Sequence, residues 1–208
     1  MRSTKKKIDL SEFIREFRKT MRPPKRKPRR PVILAITGPS RVGKTTTLKF
    51  IEKKLPFFVR ISHDDMRLFL YRKGFNAPET EEFIYGLTPV SRLVEFFLGK
   101  GHGVMIDANL ASRAEKLESI EESAKKFHAQ FFIIRAWAPV SVVRRRLKKA
   151  KSELFPDWRV GLKHFERSRK QFNYEKFNHL YLARVNTARP LAGQLKKAIA
   201  SLKGAMGV

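Results

Sequence analysis

Apolar residues fall into two kinds of run along this chain. Five runs are short and nearly continuous: 32–36 (VILAI), 57–61 (FFVRI), 104–106 (VMI), 131–137 (FFIIRAW) and 180–185 (LYLARV). Strands buried on both faces have this character, because neither side of the pleat meets water. Between the runs, apolar positions recur at intervals of three and four, which predicts helices over roughly 44–54, 64–73, 89–99, 112–128, 140–150, 158–172 and 190–203. One helix start is marked by Thr88 as a cap followed by Pro89 in the first turn. Strands that alternate with helices imply right-handed crossovers, hence a five-stranded parallel sheet in a three-layer α/β fold.

Ahead of the first strand, Leu10, Phe13, Ile14, Phe17 and Met21 share one helical face, predicting a short amphipathic helix over 9–21. Asp9 can cap it, Glu12 completes a capping-box pattern, and Ile8 can staple against Phe13. So short a helix is marginal alone and needs a surface, on this chain or on a partner. The next ten positions, RPPKRKPRRP, hold six basic residues and four prolines and read as an extended, unpaired, cationic linker. Its alternatives are a plain solvated connection or a contact to nucleic-acid or membrane phosphates. No internal repeat is visible.

Composition narrows the chemistry. The 208 residues, 42% apolar, suit one globular unit with a short appendage. The absence of cysteine excludes disulfides, thiolate zinc sites and cysteine nucleophiles, and is compatible with a reducing compartment. No apolar run approaches the roughly 18 residues that span a bilayer. The basic N-terminus has no apolar segment behind it, and Asp9, Glu12 and Glu16 oppose a transit peptide, so a cytoplasmic protein without a membrane span is expected. The formal charge is +27; residues 1–31, with 13 basic and 3 acidic residues, supply +10 of it, and +17 remains on the rest. Such a field attracts polyanions. A general bias toward lysine and arginine is the plainer account, and charge by itself names no substrate.

Between the first predicted strand and helix, Gly38-Pro39-Ser40-Arg41-Val42-Gly43-Lys44-Thr45 fits G-x4-G-K-[ST], and Thr46 continues into the helix. That context marks a P-loop. Two glycines permit backbone conformations that aim successive amides inward, closed by the positive end of the helix. Lys44 would bridge the β- and γ-phosphates of a nucleoside triphosphate, and Thr45 would give its hydroxyl to Mg²⁺. The chain then divides into a basic helix and linker, 1–31, and a P-loop domain, 32–208, with the P-loop NTPase fold.

Other residues narrow the reaction. Asp107 ends an apolar strand, but Ala108 follows where hydrolytic motors commonly place a water-activating glutamate, and no N-K-x-D guanine-reading sequence is present. The second strand runs into SHDDMR, which puts Asp64, Asp65 and Arg67 at its C-terminal end, the edge where open α/β sheets bind ligands. Plainer roles stand beside these: the acids can cap the following helix, Arg67 can be solvated, and Asp107 can be structural. Arg144 to Lys149 can be the exposed face of a helix that buries Val142, Val143 and Leu147. His63 and His102 have no metal-binding spacing. Leu162, Phe165 and Phe172 fit a buried stripe better than a base-stacking surface.

GPSRVGKT, SHDDMR, IDANL and the basic SVVRRRLKKAK, in that order, resemble the signatures of the P-loop kinases that group 5′-polynucleotide kinases with zeta-toxin-type kinases, over about residues 32–175. The segment TPVSRLVEFFLGKGHGVMID resembles both branches. The resemblance implies that Asp64 is a general base toward the acceptor hydroxyl and that Arg67, beside Asp65, contacts the acceptor phosphate. It gives Asp107 and Asn109 an acceptor-side or metal-water role. It also implies a helical lid whose arginine over the ATP phosphates matches Arg145, with Lys149 where a second is aligned; Arg144, Arg146 and Lys148 are one shift away. The expected function is an ATP- and Mg²⁺-dependent kinase acting on the 5′-hydroxyl of a nucleic acid. The alternatives are a kinase of a nucleotide-sugar or metabolite, and a nucleotide-switched nucleic-acid-binding protein.

Overall fold

A strand buried on both faces must satisfy its amides with neighbouring strands, and the apolar runs do this for one another. The computed structural model describes residues 8–86, 88–108, 110, 114–149, 158–170 and 175–208. Strands β1 (Val32–Thr37), β2 (Phe58–Ser62), β3 (Gly103–Asp107), β4 (Gln130–Trp137) and β5 (Tyr181–Asn186) form one parallel sheet in the order β2-β3-β1-β4-β5. Its centre is β1, fully buried along its length. Ile33 and Ala35 enter the core on one face, Val32, Leu34 and Ile36 the core on the other, which is why the run reads as unbroken rather than alternating.

The first face is covered by α1 (Leu10–Thr20), α3 (His63–Arg72), α4 (Ala77–Tyr85), α5 (Thr88–Gly99) and α6 (Ala114–Lys126). The second is covered by α2 (Lys44–Lys54), α7 (Val140–Lys149), α8 (Trp158–Lys170) and α9 (Leu191–Met206). The expected three-layer P-loop NTPase architecture is therefore present. Each of the five strands lies within one residue of its apolar run at both ends. No described helix is long and apolar enough to cross a membrane. Expected helical positions 112, 113, 150, 171 and 172 lie outside the described residues.

Helix α4 is a correction, since no helix was expected between 73 and 89. Asn76 accepts from the Glu79 amide at 3.0 Å while Glu79 accepts from the Asn76 amide at 3.4 Å, a capping box with Pro78 in the first turn. Only Ile84 and Thr80 are buried, too few apolar positions to reveal a period.

Helix α1 docks on this chain. Phe13 and Phe17, each 3% exposed, stack 5.2 Å apart; Phe13 meets Phe69 of α3 and Phe83 of α4 edge-on at 5.8 and 4.9 Å. Arg18 lies 4.6 Å over Phe96 of α5. Burying each phenylalanine is worth about 1.5–3 kcal/mol, enough to hold a helix too short to stand alone. The linker is not wholly unpaired. Pro28 is buried, the Arg29 and Arg30 amides donate to the Met206 carbonyl at 3.0 and 3.2 Å, and the Pro31 carbonyl accepts from Gln130. The last carbonyls of α9 lack helical partners and take these amides instead. The linker thus crosses beneath the sheet at the strand N-termini, away from the edge that carries the P-loop.

Candidate active site

The loop between β1 and α2 is shaped by its glycines. Gly38 has φ 143°, and a Cβ there would fall 2.2 Å from the Ala136 carbonyl oxygen. Gly43 has φ 99° and leaves the N-terminus of α2 without a side-chain cap, while Arg41 between them has φ 63°. Left-handed residues interleaved in this way turn amides into the loop, and an uncapped helix end adds its own free donors. Pro39 and Val42 are buried anchors, Ser40 is partly buried and Thr46 is exposed. Lys44 folds back so that Nζ donates to the Gly38 and Pro39 carbonyls at 3.0 and 2.9 Å. Burial pushes its pKa down to about 8, opposed by Asp107 and Asp64.

Asp107 closes β3 in register with Ser62 at the end of β2. It is 9% exposed; burial raises its pKa, countered by a hydrogen bond with Thr45 and by the Arg60 and Lys44 charges. Thr45 and Asp107 could offer hard oxygen donors to a nucleotide-bound Mg²⁺. Among the described residues no group of three or more His, Asp or Glu could hold a metal, so the rest of an octahedral shell would have to come from phosphate oxygens and water. Arg60, which sequence reasoning passed over because it sits inside an apolar strand, bridges Asp107 at 3.4 Å and Asp65 at 3.3 Å.

Across from the loop, Ser62 caps α3 by accepting from the Asp65 amide at 3.3 Å, so neither acid is needed for that purpose. Asp64, its side chain 73% exposed, accepts from Arg67 Nη1 at 2.5 Å. Arg67 is buried rather than solvated: its Nε and Nη2 donate to the two carboxylate oxygens of Glu81 on α4 at 2.5 and 3.1 Å. The pair with Glu81 raises the Arg67 pKa. Beside it, Lys116 Nζ lies 5.0 Å over the Tyr85 ring, and His63 meets that ring edge-on at 5.7 Å. Burial, with the Lys116 and Arg67 charges, drives His63 down to about 3, so it is neutral at ordinary pH. Glu81, Tyr85 and Lys116 are additions to the expected site. The capping signature of α4 is the only trace of Glu81 in the sequence. Asn109 lies outside the described residues.

On α7, Arg145 and Lys149 are exposed, and among the described residues no hydrogen bond or ion pair ties either to the loop. Arg146 is the arginine brought to it: Nη1 donates to the Val42 carbonyl at 2.9 Å and to Thr187 Oγ1 at 3.0 Å, and Nη2 to the Thr187 carbonyl at 2.6 Å. Thr187 Oγ1 in turn donates to the Val42 carbonyl. Burial of Val143 and Leu147 fixes the rotation of α7, and the arginine beside that stripe is Arg146.

Solved structures share this fold. A chain of the Pnkp1/Rnl/Hen1 RNA repair complex is 24% identical over 70% of this chain, with TM-score 0.56; the match spans 45% of that chain's length. A gluconokinase from Sinorhizobium meliloti 1021 is 16% identical over 86% of this chain and 95% of its own, with TM-score 0.58. The Mycobacterium tuberculosis APS kinase CysC is 17% identical over 85% and 99%, with TM-score 0.53. No curated protein sequence matches the chain. The AAA_33 family, an AAA domain, matches residues 33–174, well over half of the sequence, which takes in the phosphate loop, the ends of β2 and β3 and helix α7 though not Thr187, and the chain belongs to that family of P-loop, kinase-like domains.

Proposed function

We propose that the chain is an ATP-dependent kinase that transfers the γ-phosphoryl group to a hydroxyl, and that its acceptor is the 5′-hydroxyl of a nucleic acid. The observation that carries this reading is that Lys44 at the start of α2, Asp107 at the end of β3 and Asp64 in the first turn of α3 stand at one edge of the sheet, where both carboxylates act on the Lys44 charge. A phosphate cradle, a metal-site acid and an exposed carboxylate within electrostatic reach of one lysine are what transfer, rather than binding alone, requires.

Asp64 is open to an acceptor, orients its hydroxyl and takes its proton as the new P–O bond forms and the bond from the γ-phosphorus to the ADP oxygen breaks. Lys44 leaves the Gly38 and Pro39 carbonyls and neutralises charge between the β- and γ-phosphates. Thr45 and Asp107 would hold a Mg²⁺, which when bound would supply further charge neutralisation. Arg67, fixed by Glu81, offers a stationary cation to the acceptor's phosphate, while Arg145 and Lys149 are two of the exposed cations of α7 and would reach over the ATP phosphates. A nucleic-acid acceptor is favoured by the +27 charge and by the RNA repair complex among the structural neighbours.

Incubation with γ-labelled ATP and a panel of 5′-hydroxyl RNA, 5′-hydroxyl DNA, nucleosides, sugars and nucleotide-sugars tests it. Label on oligonucleotide ends, lost in Asp64→Asn, is the expected result. Label on small acceptors alone overturns the nucleic-acid assignment and leaves the transfer chemistry intact. No label on any acceptor, with ATP and oligonucleotide still bound, replaces transfer by a nucleotide switch.

A further inference from the structure

A cavity of about 420 Å³ opens beside the sheet's edge strand β2, between the C-terminal end of α1 and helices α2 and α3. That volume is in the range of small-ligand pockets. One end is Asp65 and Arg60, the pair that leads to Asp107; the other is Arg22, where the chain leaves α1. The α1 wall lies outside the residues that match the family.

Its chemistry has two parts. Arg22 and Arg72 are exposed on its rim, and among the described residues neither forms an ion pair or hydrogen bond. Of the two acids on the wall, Asp65 is neutralised by Arg60 and only Glu52 remains against the two arginines. The same lining includes Met21, Phe69 and Leu68, the last 49% exposed although apolar. Cations spaced around an apolar floor match a nucleotide unit, whose phosphate is anionic and whose base has two flat apolar faces.

We propose that this groove takes the stretch of a nucleic-acid strand that trails behind the reacting 5′-nucleotide. The inference rests on the function proposed above. Asp64 and Asp65 are neighbours on the first turn of α3. The first is paired with Arg67 and lies within electrostatic reach of Lys44, and the second lines the groove, so a strand whose 5′-end sits at Asp64 continues over that turn and along β2. Its phosphodiesters then meet Arg72 and Arg22, and a base rests on Leu68.

The test uses the full chain and the double variant Arg22→Ala/Arg72→Ala, whose exposed side chains can be removed without opening the core. A fluorescein-labelled 5′-hydroxyl 12-mer reports binding by anisotropy over a salt series, and the 12-mer is compared as acceptor with a nucleoside 3′-monophosphate. The expected result is about tenfold weaker binding of the 12-mer, a salt slope lower by about 0.7 for each lost phosphate contact, and a KM raised for the 12-mer alone. Equal effects on both acceptors, or none on either, overturn the groove while leaving the kinase reading in place. A polyglutamate of equal charge that competes as well as the 12-mer also overturns it. If the wild type labels no nucleic acid yet the variant still loses 12-mer affinity, the groove stands and the acceptor assignment falls.

Discussion

Phe13→Ala removes a side chain that is 3% exposed and touches three other rings: Phe17 at 5.2 Å, Phe69 at 5.8 Å and Phe83 at 4.9 Å. A buried Phe→Ala change costs about 3–5 kcal/mol, and the site cannot collapse easily because its three ring partners belong to three different helices. For a chain of this length that corresponds to a fall in Tm of about 6–20 °C, a large share of a typical 5–15 kcal/mol stability. Arg15→Ala on the same helix, whose side chain is 59% exposed, serves as control and should stay within about 0.5 kcal/mol. Phe69 and Phe83 belong to α3 and α4, the helices that carry Asp64, Arg67 and Glu81, whereas α2 and the ATP-binding loop adjoin the core on the other face. The variant should therefore raise the acceptor KM more than the ATP KM. Differential scanning fluorimetry and steady-state kinetics on the two proteins decide it. A Tm loss below about 2 °C, or equal change in both KM values, would show that α1 is an appendage and not part of the acceptor wall.

Glu81→Gln should cost about 1–3 kcal/mol in urea unfolding, less than a wholly buried pair because Glu81 is one-third exposed and Asp64 still faces Arg67. It should also alter the acceptor KM without changing ATP binding. Arg146→Ala should raise the ATP Kd by about tenfold through a looser Val42 turn, read by nucleotide titration, with the acceptor KM unchanged. His63 is held neutral in the fold with a pKa near 3, against an ordinary 6.5. Below pH 6.5 the unfolded chain binds a proton the folded one refuses, so wild type loses more stability than His63→Gln as pH falls from about 6.5 to about 3; parallel pH–stability curves would contradict this.

The sheet was legible because burial on both faces leaves unbroken apolar runs, and the phosphate loop because its backbone demands glycine at two fixed positions. Asp64 and Arg67 could be placed on one helical turn from their spacing alone. What the spacing does not contain is the third partner: Glu81 comes from a helix with too few apolar positions to show a period. The Arg144-Arg145-Arg146 run failed differently. Adjacent helical residues differ by about 100° of rotation, and only the depth at which Val143 and Leu147 settle decides which arginine faces the loop. Arg60 was invisible because a charge inside a strand has no local partner, and its acids, Asp65 and Asp107, lie 5 and 47 residues away.

The contacts of Arg146 and Thr187 with Val42 span 104 and 145 positions of sequence. The phosphate cradle therefore cannot take its final form when its own eight residues leave the ribosome; it waits for β5 and the turn after it, 145 positions beyond Val42. The glycine-rich sequence is thus necessary for the cradle without being sufficient, and a truncated product ending before Thr187 should carry all of it yet fail to retain ATP.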